Sequence, residues 1–294
     1  MSYRTATYVI SYLIRRPMKE KSASKGLPLK RVIAALEEIA PLHLAEEWDN
    51  AGLLLAPRRH AAVAAVMLTI DLTEQVLAEA VRRKCSLIVS YHPVLFEPVQ
   101  RLHMDHVSHR VVLEAIRAGI TVYSPHTALD AVQGGVNDWL ADGIGEGRRT
   151  PILPGLNEDL SESAQGPGRL VVLARATPAR TVIQRIKRHL TLPRMRIAFP
   201  AGRTGAKKVR RIAVCAGAGA SVLTQARADL YVTGEMKHHD ILAALAEDTI
   251  VAISEHTHTE RGYLPILKKN LSKQLGPSVR ILISRSDREP VRWG

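Results

Sequence analysis

The stretch VAAVMLTIDLTEQVLAEAVRRKCSLIVSYHP, residues 63–93, decides how the chain is to be read. Val63 to Ile70 is an apolar run that reads as a strand. Asp71 and Thr73 are candidate caps for a helix that runs to about Lys84. Leu87 to Ser90 is a second short strand, and Tyr91-His92-Pro93 follows directly at its end. Strand, helix and strand in succession argue for an α/β architecture.

The alternation continues outward on both sides. Upstream, Pro28 to Ala40 reads as a helix, with Val32, Ile33, Leu36 and Ile39 at helical spacing. Downstream come a helix over Val107 to Ala118, a strand over Ile120 to Tyr123 and a helix over Val136 to Leu140. Residues 147–168 hold Pro151, Pro154, Gly155 and Gly166-Pro167-Gly168, and read as a connection between domains. Beyond it, strands are expected at Leu170–Ala174, Val209–Val214, Leu230–Thr233, Ile250–Ile253 and Val279–Ser284. Helices are expected at Pro178–Leu190, Met236–Ala246 and Tyr263–Leu275. The fold class is therefore α/β, and 294 residues suffice for two modest domains.

Composition narrows the class further. Apolar residues make up 46% of the chain and aromatics only 4%, so the core is built of aliphatic side chains. No apolar run reaches the roughly 18 residues of a membrane span, so a soluble chain is expected. Two cysteines, Cys85 and Cys215, are too few for a disulfide framework or a thiolate metal cluster, and read as buried reduced thiols. Of the net charge of +13, residues 1–31 contribute more than half, with eight basic residues against the single acid Glu20. This basic, hydroxyl-containing leader, residues 1–27, reads as a transit segment, a cytosolic extension or a charged arm. The expected location is cytoplasmic or mitochondrial. Nucleic-acid binding by the core is disfavoured, because the excess charge sits in the leader and base-stacking aromatics are scarce.

Four clusters carry the chemistry. Ser90-Tyr91-His92-Pro93, Ser124-Pro125-His126-Thr127-Ala128-Leu129-Asp130, Thr233-Gly234-Glu235-Met236-Lys237-His238-His239-Asp240 and Ser254-Glu255-His256-Thr257-His258-Thr259-Glu260 each follow an expected strand. Strand ends are where open α/β sheets bind ligands. Six of the twelve histidines lie in these clusters, beside carboxylates. Imidazole with carboxylate suits zinc, iron, manganese or cobalt. His256 and Glu260 share a face if their segment is helical; His256, His258 and Glu260 share one if it is extended. The first pairing is preferred. Gly217-Ala218-Gly219-Ala220-Ser221 reads as a tight turn, with a phosphate cradle as the alternative.

Taken together, Glu46-Glu47-Trp48-Asp49-Asn50-Ala51-Gly52-Leu53, Ser90-Tyr91-His92-Pro93, His126-Thr127-Ala128-Leu129-Asp130, Gly135-Val136-Asn137-Asp138, Thr233-Gly234-Glu235 and Thr259-Glu260 resemble the Nif-three-like family. Its members are also labelled GTP cyclohydrolase I type-2-like, and the tail Ser286 to Pro290 looks like the eukaryotic branch. The resemblance implies two interleaved α/β domains, the second inserted before the last helix and strand of the first. It places a metal-binding domain at 28–147 plus 252–294 and a second domain at 168–251. It also implies a homohexamer and one or two divalent metal ions per chain. One ion would be held by His92, Asp130 and Glu260, the other by His256 and Glu260. The sequence departs from the bacterial pattern at Tyr91, where a second His stands in that pattern; a neutral phenol is a poor ligand near neutral pH. The second position is then weaker, replaced by a single-metal site, or completed by another group such as His126 or water. The expected activity is metal-dependent hydrolysis of a nucleotide or other phosphate compound. In it, His238 or His239 would be the base and Lys237 would meet phosphate charge. The alternative is a noncatalytic metal-binding adaptor or regulator acting through protein partners.

Overall fold

The computed structural model describes residues 26–57, 62–153 and 164–291. All but the last two residues of the expected leader lie outside that range. The chain is mixed α/β and forms two compact units. Of the described residues, one unit takes 26–39, Trp48–His126 and Ile266–Arg288; the other takes Ala40–Glu47, Thr127–Pro265 and 289–291.

The first unit carries a five-stranded sheet. Its strands are β1 (Gly52–Leu55), β2 (Ala65–Thr69), β3 (Leu87–Ser90), β4 (Thr121–Ser124) and, from the end of the chain, β11 (Arg280–Ile283), in the order β1-β4-β3-β2-β11. All but β1 run parallel to their neighbours. Every residue of β2, β3 and β4 is buried, which is why these strands read as unbroken apolar runs. One row crosses the sheet through Leu282, Met67, Ile88 and Val122. It meets Leu77 and Ala80 of one helix and Val111, Val112 and Ala115 of another in the core. Thr73, not Asp71, caps the helix Glu74–Arg82: its Oγ1 accepts from Val76 N at 3.3 Å. β1 was not expected; it is four residues long and pairs antiparallel at the sheet edge, where an apolar run need not be sustained. Cys85 is buried and unpaired, and burial pushes its thiol up to about 11.

The return of β11 to pair with β2 bears out the expected insertion, since the second unit's main span precedes it in sequence. Buried Glu79 fastens this return. One carboxylate oxygen accepts from Ser284 Oγ at 2.8 Å and from Arg285 N and Ser286 N, both at 2.9 Å. Burial alone would raise the Glu79 pKa, but these hydrogen bonds outweigh it and the net shift is downward from 4.5. A depressed carboxylate pKa contributes stability above the unfolded value, lost as pH falls through the folded one. Glu79→Ala is expected to cost about 2–4 kcal/mol, because it strands three donors around a buried site. Denaturant unfolding at pH 7 and pH 3 checks this: the difference between variant and parent should shrink at the lower pH.

The second unit carries a six-stranded mixed sheet. Its strands are β5 (Gly147–Thr150), β6 (Arg169–Pro178), β7 (Arg196–Ala198), β8 (Lys208–Cys215), β9 (Leu230–Thr233) and β10 (Ile250–Ile253), in the order β5-β6-β8-β9-β10-β7. Its parallel centre, β8-β9-β10, is flanked by antiparallel strands. The core row Ala213, Tyr231 and Val251 crosses that centre. β5 occupies the start of the expected 147–168 connection. Gly147-Arg148-Arg149-Thr150 is polar and becomes a strand only because β6 lies beside it, from Gly147 against Leu173 to Thr150 against Leu170. Cys215 is also buried and unpaired, and burial raises its thiol pKa far out of reach of ionisation. No helix among the described residues is long and apolar enough to cross a membrane.

Candidate metal centre

In the first unit, register brings three chemistry-bearing turns to one sheet edge. Thr69 lies opposite Ser90, and Val89 opposite Tyr123, so the chain leaves β2, β3 and β4 at the same level. Asp71, His92 and His126 follow those three exits. Tyr91 N and His92 N still bond Thr69 O and Ile70 O, at 2.9 and 3.1 Å, which carries the β2–β3 pairing past the strand ends. His92 Nδ1 lies 2.8 Å from Asp71 Oδ1, and His126 Nδ1 lies 2.7 Å from Asp49 Oδ1. A carboxylate at Nδ1 holds the N–H there and leaves the Nε2 lone pair facing outward, the usual arrangement of a metal-binding or proton-accepting imidazole. The buried Tyr91 ring packs against both, 5.1 Å from His92 and 5.7 Å from His126.

The second unit repeats the device. Cys215 and Ile253 both lie opposite Thr233, so the turns after β8, β9 and β10 start level. They supply Gly217, Gly234-Glu235 and His256. Residues His256–Thr259 form a 3-10 turn, entered through Glu255 at a strained φ of 73°. His256 Nε2 lies 3.2 Å from Glu260 Oε1 and its Nδ1 lies 3.1 Å from Glu235 Oε1. A neutral imidazole carries a single N–H and can donate to only one of the two carboxylates. The second contact needs positive charge, from a proton or a cation. Glu260 is almost wholly buried, which sharpens that need. His258 turns away, with Nδ1 3.8 Å from Glu289 Oε2, and Thr257 Oγ1 bonds the same carboxylate.

Within the second unit, the His256 imidazole and the buried Glu260 carboxylate together are donors of a kind able to hold a metal ion. Imidazole nitrogen with carboxylate suits zinc, iron, manganese or cobalt. Asp130 lies on the helix His126–Ala131, where its carbonyl accepts from Asn137 Nδ2 at 3.1 Å. Lys237 lines a cleft of about 660 Å³ with Ser221, Thr224, Glu235 and Asp240. His238 and His239 are exposed at the start of the next helix, their rings 5.6 Å apart, and do not line it.

The glycine turn commits both of its glycine amides to threonine hydroxyls. Gly217 N donates to Thr259 Oγ1 at 2.8 Å and Gly219 N to Thr233 Oγ1 at 3.1 Å, so both amides are committed. Its glycines serve the histidine and carboxylate instead. Gly217 has φ +60°, and a Cβ there would stand 2.8 Å from Glu260 Oε1 and 2.9 Å from His256 Nε2. Gly217→Ala is expected to push these donor atoms apart and lower metal content at least tenfold, measured by elemental analysis of the folded variant. Asn137 joins this turn to the helix carrying Asp130, since its Oδ1 accepts from Ala216 N at 2.9 Å.

The family model described as Duf34/NIF3 (NGG1p interacting factor 3) matches residues 27–290. The chain belongs to this family. A NIF3 homolog of Schizosaccharomyces pombe is 39% identical over 271 residues, covering 90% of this chain and 96% of that protein. NIF3-like protein 1 of Rattus norvegicus is 33% identical over 372 aligned residues, covering 98% and 99%. A Bacillus cereus protein related to NIF3 shares the fold at 20% identity, with a TM-score of 0.76, covering 90% of this chain and 98% of that one. For this Duf34/NIF3 chain, the sequence motifs contain His92, His256 and Glu260. They did not reveal Asp71, Asp49 or Glu235 as imidazole partners, because contacts 77 residues apart, as for Asp49 and His126, leave no local pattern.

Proposed function

We propose that this chain is a metal-dependent hydrolase acting on a nucleotide or another phosphate compound. The single observation that carries the reading is the His256 imidazole held between two carboxylates, Nε2 3.2 Å from the buried Glu260 and Nδ1 3.1 Å from Glu235. A divalent cation held there would lower the pKa of a bound water toward neutrality and polarise a phosphoryl oxygen. Glu235 would orient the imidazole through Nδ1. Asp130 is proposed as a further carboxylate ligand, and one or two ions as the complement. The cleft bearing Lys237 offers a cation for phosphate charge, next to Glu235 and hence to His256. The noncatalytic adaptor reading draws support from the family's description as an interacting factor.

The decisive experiment loads the full chain with zinc, manganese, iron or cobalt and assays a panel of nucleotides and phosphate monoesters. Turnover that disappears in Glu260→Ala supports the hydrolase. Turnover by the wild type no faster than by Glu260→Ala rejects it.

A further inference from the structure

We propose that the second unit grips the phosphate backbone of double-stranded nucleic acid through a band of exposed basic side chains on β6, β8 and the helix Ala179–His189. The proposal is independent of the hydrolase reading, because no residue of the candidate metal centre takes part.

The total charge conceals how the basic residues are distributed. Residues 164–228 hold eleven arginines and three lysines without one aspartate or glutamate, and outside this stretch and the leader the chain is net acidic. The expectation against nucleic acid rests on the leader's share of the net charge, and a core whose charges nearly cancel hides this local excess.

Part of the excess is neutralised in place. Arg196 pairs with Glu255, and Arg203 and Lys207 pair with Asp248. Arg175, Arg180, Arg185, Arg188, Lys208 and Arg210 are different: all six are exposed, and none has a carboxylate within ion-pair distance among the described residues. The Asp229 carboxylate is occupied by the backbone N–H groups of Arg210 and Arg211, at 2.7 and 2.9 Å.

Backbone contacts join the six into one band within the second unit. Lys208 of β8 lies opposite Pro178 of β6, the residue that leads into the helix. Ala179 N donates to Lys207 O at 2.8 Å and Arg180 N to Gly205 O at 2.9 Å, which seats the turn before β8 against the helix start. Arg210 Nε donates to Leu173 O at 3.2 Å, beside the strand segment that carries Arg175. Along the helix, Val182, Ile183 and Ile186 are buried, so Arg180, Arg185 and Arg188 occupy the outward side with Gln184 among them. Arg180 and Arg188 are spaced about 12 Å along the axis. The first helical turn contains Arg180 and no acid, although the positive end of a helix favours an acid. An external anion supplies what the sequence leaves out.

The chemistry of the band selects its partner. Five of the six side chains are guanidinium forks, which match phosphate oxygens. A helix that lies on an anionic membrane presents apolar side chains as well, and none of the large exposed hydrophobics falls in residues 164–228. Proteins that hold single strands stack bases on exposed aromatics. The one Phe, Tyr or Trp in this stretch, Phe199, is half-buried. In a duplex the bases stack on each other and the phosphates lie outside, where a basic surface alone can hold them.

The test measures, by fluorescence anisotropy across a salt series, binding of the full chain to labelled DNA and RNA duplexes of about two helical turns and to the DNA single strand. Contacts to six phosphates would make log affinity fall with log salt at a slope of about −5. Combining Arg180→Gln, Arg185→Gln and Arg188→Gln is expected to weaken duplex binding at least tenfold and to flatten the slope by about three, with thermal unfolding unchanged. Arg175→Gln with Lys208→Gln tests the band away from the helix and should flatten the slope by about two. Removing as many charges from the leader, by Arg15→Gln, Arg16→Gln and Lys19→Gln, should cost less than the helix variant. Loss on either duplex supports the band and identifies which one it takes. Wild-type affinity in both band variants, or a loss confined to the leader variant, overturns it. Tighter binding to the single strand, or to vesicles of phosphatidylserine and phosphatidylcholine, overturns the choice of partner.

Discussion

Glu260→Gln is expected to leave the protein folded and strip it of most of its metal. The two side chains have the same shape, so the buried pocket around residue 260, 2% exposed in the wild type, stays filled. What changes is charge. Glu260 Oε1 faces His256 Nε2 at 3.2 Å, and Glu235 occupies the imidazole's other nitrogen. With a carboxylate on either side, the imidazole calls for a cation; with an amide at 260, half of that demand is gone and an N–H can meet Nε2 directly. Loss of an outer carboxylate partner alone lowers metal affinity by about 10–100-fold, so loss of a direct ligand should exceed that. Elemental analysis of protein purified without added metal reads the effect, with thermal unfolding as the control for folding. Wild-type metal content in this variant would remove Glu260 from the centre.

Arg169→Met is expected to be the most destabilising of these changes, at about 3–5 kcal/mol. The guanidinium is 1% exposed and all three of its nitrogens are engaged. Nε and one Nη pair with the two carboxylate oxygens of Asp138 at 2.9 and 3.0 Å. The same Nη reaches Ala131 O and Val132 O, and the other reaches Gly166 O and Gly168 O at 2.6 and 2.7 Å. Methionine fills the volume but takes the charge partner from Asp138, which keeps only the Gly134 N–H at 2.7 Å, and takes the guanidinium donor from Gly166 O and Gly168 O. Paired replacement with Asp138→Leu should recover part of the loss, since it removes the stranded charge. Urea unfolding of the single and double variants measures both terms; a single-variant cost under 1 kcal/mol would refute the account. This helix-to-turn clamp also gives a physical reason for the Gly135-Val136-Asn137-Asp138 motif: Asn137 bonds the ligand-bearing turns and Asp138 anchors Arg169.

Legibility differed between elements for identifiable reasons. β3, β9 and β10 lie where their apolar runs place them, because burial on both faces demands such runs. The antiparallel strands β1, β5 and β7 went unread. They flank or edge the sheets, β5 and β7 are partly polar, and a neighbour's backbone makes them strands. Within the candidate centre, His256 and Glu260 were legible as a pair because four residues separate them. The Nδ1 partners were not, since imidazole orientation depends on which turn another strand happens to bring alongside.

By itself, the order of residues determined the βα alternation, the placing of imidazoles just beyond strand ends and the family motifs, since these are properties of short segments. The tertiary structure alone decided which carboxylate holds which imidazole, why residue 217 must lack a side chain, and that an arginine belongs in the interior. Each of those depends on strand register, which aligns distant turns at one edge and is set by the packing of whole sheets.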